Sequence, residues 1–409
     1  SNEKFVNIPW LDNGKLRLSW GQNGNRSLDN TYLSLANLTA GAGATMDYLK
    51  ADGSLATDMK YLMMDRLANP NLQWEKTEAY NIGLDFAILG NRLSGSIDYY
   101  IKKTHDMIMA QRLPNFSGFS SIYTNLGEVQ NTGMELMLNS VNFDTKDFRW
   151  TTTLNFSYNS NKIKHLYYDY NENGVENDDS SNGWFIGKPV DEIWNFKVIG
   201  TWQVDEAGEA ALVNQVPGDP KVANTYTEDD IINADGTRIP VYNDKDKVFQ
   251  GRKTAPIYWN LRNDFTLWKD FDISFSLYSY MGHKSTSTYY LNKANTADCM
   301  TRGYNQYIQG YWLPENSSNN YVRLNAAGPS GASDPVKVYN RSFVRLDNIT
   351  LGYTLPAYWT KKALIDRVRI TASVRNVAVF GGSKTWEFGD IETGGLATRT
   401  YNLGFNFTF

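Results

Sequence analysis

The chain has 409 residues, 14% of them aromatic (26 Tyr, 19 Phe, 12 Trp). Its mean hydropathy is −0.49, and no run of eighteen or more apolar residues occurs, which excludes a transmembrane helix. A formal charge of −4 argues against a nucleic-acid partner, and the single cysteine, Cys299, excludes an internal disulfide.

Barrel strands bury only alternate residues, so mean hydropathy does not exclude them. Read from the N-terminus, Ser1–Trp10 lacks the basic and apolar regions of a signal peptide. Strands are expected near 15–22 and 77–89, the second with Tyr80, Ile82, Leu84, Phe86 and Ile88 on one face and Asn81, Gly83 and Asp85 on the other. A third, near 91–109, sets Leu93, Ile97, Tyr99 and Ile101 against Ser94, Ser96, Asp98 and Lys102. Strands near 122–142 and 148–165 follow, the latter alternating Phe148, Trp150, Thr152, Leu154, Phe156 and Tyr158 with polar residues. Later strands fall near 256–268, 271–282, 342–355 and 366–380. The last, near 397–409, places Tyr401, Leu403, Phe405, Phe407 and Phe409 on one wall. Apolar and charged residues in strict alternation suit one apolar face and one wet face, and strands near ten residues exceed the usual length in soluble sheets.

The connections are lopsided. Short turns sit at Leu89–Arg92, Asp144–Asp147 and Lys269–Asp270, whereas 23–76, 166–255 and 283–341 are long excursions. Short turns at one end and long loops at the other are the layout of an outer-membrane barrel, with long loops extracellular. Parity allows ten strands if Trp194–Val204 belongs to the loops, or twelve if it pairs there. Phase slips near Asp347–Asn348 and Asn376 read as bulges. Because lipid tolerates no open sheet edge, the chain must close on itself or receive strands from another polypeptide.

Several stretches carry a family resemblance, in order: KLRLSWGQNGN (Lys15–Asn25), NPNLQWEKTEAYNIGLDF (Asn69–Phe86), NLGEVQNTGMEL (Asn125–Leu136), YWLPEN (Tyr311–Asn316), SFVRLDNITLGYTLP (Ser342–Pro356), ASVRNVAVF (Ala372–Phe380) and YNLGFNFTF (Tyr401–Phe409). Together they resemble the C-terminal part of a SusC/RagA-type TonB-dependent outer-membrane transporter of Bacteroidetes-like bacteria. The resemblance implies an all-β fold, a transmembrane antiparallel β-barrel of which residues 1–409 supply ten to twelve of 22 strands around a plug. No plug or TonB-contacting segment is recognisable, so a fragment paired with the N-terminal part of the same transporter is expected. The resemblance further implies import of an oligosaccharide or peptide, a SusD-like surface lipoprotein over the loops, and energy from TonB through the plug.

Catalysis finds no support: His105, His165 and His283 lie apart, with no nucleophile or metal spacing, and no cofactor is expected. Asp169, Asn171, Asn173 and Gly174 open like a calcium loop, but Ser180 stands where the bidentate Glu belongs, so a solvated loop is the simpler reading. Trp10, Trp20, Trp150, Trp259 and Trp268 suit an interfacial girdle. Loop aromatics beside Asn, Gln and Arg are candidate ligand contacts: Trp184, Tyr304, Tyr307, Tyr311 and Trp312. Arg17, Asp98, Glu135, Arg149, Arg262, Asp264, Arg369 and Arg375 belong to the lumen face, where charge costs least. Two alternatives stand beside this reading, a self-closed passive porin and a soluble carbohydrate-binding β-protein.

Overall fold

The computed structural model describes residues 8–25, 32–287, 311–324, 326–332, 335–382, 389–395 and 397–409. Ten long strands form one sheet: β1 (Leu11–Asn25), β2 (Glu75–Ile88), β3 (Leu93–His105), β4 (Glu128–Asp144), β5 (Phe148–His165), β6 (Ile257–Leu267), β7 (Phe271–Met281), β8 (Phe343–Thr354), β9 (Arg367–Gly381) and β10 (Thr400–Thr408). Each pairs antiparallel with the next in sequence, and β1 and β10 lie at the two ends of the order. The described strands therefore make an open meander whose outer edges pair with no other described strand.

Register converts the alternation of each strand into rows across the sheet. One apolar row runs Leu16, Leu84, Ile97, Leu136, Phe156 and Trp259. Its polar neighbour runs Arg17, Gly83, Asp98, Glu135, Ser157 and Tyr258. The apolar face is open: Leu18 is 70% exposed, Leu403 66% and Phe405 54%. An apolar wall of this extent cannot face water in a monomer, which removes the soluble alternative. From Phe148 to Tyr158 the apolar stretch of β5 is about 33 Å long at about 3.3 Å per residue; tilted near 45°, it spans about 23 Å, close to the roughly 25 Å apolar band of outer-membrane barrels.

Every connection at one end is short: 89–92, 145–147, 268–270 and 355–366, the last holding a helical turn, Ala357–Thr360. At the other end the connections are long and carry their own structure. Ile108–Arg112 pairs with Ser121–Asn125, Glu192–Phe196 with Lys247–Arg252, and Lys284–Ser287 with Lys337–Asn340. Glu192–Phe196 and Val198–Thr201 thus lie in loop hairpins, so the described wall has ten strands and not twelve. The expected strands 91–109 and 122–142 are each shorter than their alternation suggests. Asp106 and Gly127 take left-handed backbone (φ 56° and 80°) and turn the chain out of the wall into the 108–125 hairpin.

Both expected bulges are present. Asp347 is skipped in the pairing of β8 with β7 and with β9, and Asn376, with φ 55°, lies in the matching gap of β9. One feature of the apolar face is not apparent from alternation. Ser140, Asn142, Thr152 and Asn263 share it and consume one another's polarity: Ser140 Oγ donates to Asn142 Oδ1 (2.9 Å), Asn142 Nδ2 to Thr152 Oγ1 (2.7 Å), and Thr152 Oγ1 to Asn263 Oδ1 (2.7 Å). Trp150 Nε1 also donates to Asn263 Oδ1, at 2.9 Å. Stacked rings of Phe143, Trp150, Phe265 and Phe275 cross four strands beside this chain of bonds. A polar group here is tolerated because it is bonded and roofed by aromatics.

Parity makes a sharp test. Leu154→Arg, in the middle of the apolar face, should cost about 2–4 kcal/mol of stability in vesicles. The adjacent Asn155→Arg, on the polar face, should change it by under about 1 kcal/mol. Denaturant unfolding of the vesicle-inserted protein measures both, and equal effects would show the two faces to be misassigned.

Candidate functional site

Charges on the polar face are joined across intervening strands. Arg17 pairs with Asp85 on the neighbouring strand (2.9 Å) and reaches over β2 to Asp98 at 2.8 Å. The residue between Arg17 and Asp98 in the row is Gly83, where a Cβ would stand 2.5 Å from the Asp98 carboxylate and 2.7 Å from the guanidinium. Gly133 does the same for the Tyr100 ring, whose hydroxyl reaches Asn159 at 3.3 Å. Arg262 pairs with Asp264 and Arg369 with Asp272. Glu135, Arg149 and Arg375 form no ion pair among the described residues. These three are among the wall charges left to meet something else.

At the long-loop end two loops distant in sequence form one body. Phe196, Trp202, Ala210, Val213, Val222 and Tyr242 pack with Ala332 from the loop between β7 and β8. Arg323 joins Asp219 at 2.8 Å, and Asn319 Oδ1 accepts from Thr201 N and Gln203 Nε2, both at 3.2 Å. Buried Asp246 accepts from the backbone of Thr225, Tyr226 and Asn243. The segment 389–395 turns back onto the polar face. There buried Arg345 grips Asp390 through two bonds (2.8 and 2.7 Å) and also donates to Asn376 Oδ1, while Tyr278 donates to Glu392 at 2.6 Å.

The candidate aromatics part company. Trp312 is buried, its Nε1 donating to Gln203 Oε1 at 3.1 Å and its backbone N–H to Val322, so the ring seals the loop body and is not offered to a ligand. Tyr311 beside it is exposed. Tyr304 and Tyr307 lie outside the described residues. Trp184 exchanges backbone bonds with Asp179 (both 2.9 Å) and lines an apolar cavity of about 210 Å³ with Met107, Met109, Val129, Ile163 and Leu166. The would-be calcium ligands are spent locally: Asn171 Oδ1 accepts from Asn173 N and Val175 N, and Asp169 Oδ2 accepts from Asn177 Nδ2. Among the described residues no acidic, His or Cys cluster is arranged for a metal.

Next to the apolar cavity lies a polar cleft of about 500 Å³, with Gln111, Arg112, Tyr167, Tyr168, Asp178 and Asp179 on its walls. Of the expected loop aromatics, Trp184 lines the apolar cavity and none of the described ones lines the polar cleft, whose Asp169 belongs to the stretch that opens like a calcium loop. Asp179 accepts from Tyr167 (2.8 Å), Ser181 (2.6 Å) and Asn182. Burial opposes its charge, but those bonds outweigh it and hold Asp179 down at about 2. Burial, then the bond to Asp179, pushes Tyr167 up to about 12.

Residues 6–377 match the family model described as TonB dependent receptor-like, beta-barrel. The chain is 30% identical over 381 residues to TonB-dependent receptor SusC of Bacteroides thetaiotaomicron, covering 90% of this chain and 34% of that protein. To TonB-dependent receptor P3 of Formosa agariphila it is 29% identical over 381 residues, covering 90% and 35%. The chain thus spans about a third of the length of these curated relatives. Its fold is similar to that of the RagAB peptide importer in the open-open state, with a TM-score of 0.69 at 23% identity, over 99% of this chain and 41% of that one.

The Tyr167–Asp179 clasp should be insensitive to pH between 5 and 9. Raised Tyr167 contributes stability that is complete below its free value of 10 and is lost as pH rises through about 12. Lowered Asp179 contributes above its free value of 3.8, and the contribution is lost as pH falls through about 2. Tyr167→Phe should cost the loop about 1 kcal/mol, a roughly fivefold rise in amide exchange over residues 179–186. Hydrogen exchange corrected for intrinsic rate checks both statements.

Proposed function

Because the chain belongs to the TonB-dependent receptor-like β-barrel family, we propose that it supplies wall and loops to an outer-membrane importer of nutrient oligomers, oligosaccharides or peptides, energised through TonB. The observation that carries this reading is the open ten-strand sheet with a full apolar band on one face. In lipid the outer edges of β1 and β10, which pair with no described strand, need partner strands, since an unpaired backbone group in hydrocarbon costs several kcal/mol. Those strands come from further polypeptide of the same transporter, which also carries the plug. A self-closed porin of these ten strands would instead need β1 hydrogen-bonded to β10, and the two are not neighbours in the sheet.

Binding and plug movement do the work in this reading, and no bond is broken. The loop body built around Trp202 and Ala332 offers a preformed platform for a SusD-like lipoprotein to close over. Glu135, Arg149 and Arg375, which form no ion pair among the described residues of the polar face, would meet the plug. Of the candidate aromatics, Trp184 and Tyr311 are described and not buried, and Tyr304 and Tyr307 complete the set. One similar structure is titled a peptide importer, while the names of the sequence relatives specify no substrate.

Deleting the gene should abolish growth on one class of oligomer as sole nutrient while leaving growth on its monomers unchanged, and removal of TonB should have the same effect. The complex purified in detergent from the native membrane should contain plug sequence and a surface lipoprotein by mass spectrometry. A folded, heat-modifiable 46.5 kDa species isolated alone, conducting in a planar bilayer, would overturn the proposal.

A further inference from the structure

The apolar cavity and the polar cleft share walls. Residues 107–110, leading into the 108–125 hairpin, line the first and Gln111 and Arg112 the second; His165 and Leu166 line the first, Tyr167 and Tyr168 the second. The partition is the stacked pair of His165 and Tyr168, with ring centroids 4.9 Å apart. Tyr168 stands at φ 53° with its ring half exposed, and Glu176 pins the segment by accepting from Tyr168 N at 3.0 Å and holding His165 Nδ1 at 2.8 Å. The partition is therefore built rather than incidental.

The chemistry of the two spaces differs sharply. At about 210 Å³ the apolar cavity is below the size of a whole-ligand pocket, so it takes part of a ligand. Two methionines, Val129, Ile163, Leu166 and Trp184 give it a deformable hydrocarbon lining. A sugar ring entering it would bury several hydroxyls with no partners, each carrying a desolvation penalty. An aliphatic or aromatic side chain would lose nothing there. The cleft holds Asp169, Asp178 and Asp179 against the one guanidinium of Arg112, which is itself tied to Ser181 Oγ at 2.9 Å. Asp178 spends one oxygen on Ile186 N and the other accepts no hydrogen bond among the described residues, so the cleft attracts a cation.

We propose that this pair of spaces is a bipartite subsite for a peptide, with a hydrophobic side chain in the Met107–Trp184 cavity and a neighbouring lysine, arginine or free amine in the Asp178 cleft. The proposal rests on the importer reading and narrows its substrate class. Neutral glycans carry neither group, and acidic glycans meet the wrong charge.

The test uses the intact transporter with its lipoprotein, purified in detergent. Its probes are fluorescein-labelled pentapeptides containing adjacent leucine and lysine, the serine-for-leucine and glutamate-for-lysine counterparts, and an unlabelled glucose heptamer as competitor. The leucine–lysine peptide should bind at least tenfold more tightly than either counterpart, and the heptamer should not displace it. Ala110→Phe, an exposed strand position facing the cavity, should erase the leucine preference and keep the lysine preference. Asp178→Asn should do the reverse, and it stands as an independent test should the first variant fold poorly. Equal binding of all peptides, preferences untouched by either variant, or displacement by the heptamer would overturn the subsite. Uptake by cells separates the two levels. TonB-dependent uptake of an oligomer that neither variant alters leaves the importer standing and removes the subsite, whereas no TonB-dependent uptake at all removes the importer.

Discussion

Everything in this chain follows from one constraint: a backbone crossing hydrocarbon must satisfy its own hydrogen bonds. Ten strands meet it by pairing each with the next, and the ladder then dictates side-chain chemistry through a period of two. Leucine and aromatic rows on one face and asparagine, serine and arginine rows on the other are consequences of that ladder. So is the polarity of the whole, since half of every strand faces away from lipid. No described strand pairs with the outer edges of β1 and β10, and the reading of the chain as part of a larger wall comes from that.

On the polar face the ladder brings a second difficulty, because charges in one row are separated by a whole strand. Gly83 resolves it for Arg17 and Asp98, leaving open space through which the side chains meet. Absence of a side chain is thus what lets the ion pair form, and the strand between is spanned without being distorted. The same arrangement at Gly133 lets Tyr100 reach Asn159. These contacts stiffen β1 to β5 crosswise, which frees the long loops at the far end to be specialised.

Much of the wall was legible in the sequence, because burial on one face repeats a period that residues alone reveal. Bulges at Asp347 and Asn376 were legible too, as breaks in phase. Strand ends near Asp106 and Gly127 were not, since Ile108–Arg112 continues as extended chain and only a local φ change moves it from wall to hairpin. Asn263 was hidden for a related reason: alternation assigns it to the apolar face but says nothing of Trp150 and Thr152, more than a hundred residues earlier, which satisfy it. Loop aromatics were the least legible. Exposed Tyr311 and buried Trp312 are adjacent and similar in chemistry, and what distinguishes them is the contact of one with Gln203 in another loop. No local pattern encodes that contact.

That contact has a consequence in time. Trp312 closes on Gln203, and Ala332 on Trp202, across a stretch of chain that includes β6 and β7. A contact spanning more than a hundred residues forms slowly because its loop must close before anything is gained. Here the intervening chain also includes two strands of the wall, so the loop body sets only after β6 and β7 lie between its halves. Until then the two loop surfaces lie apart. Maturation of the outer face thus trails insertion of the wall.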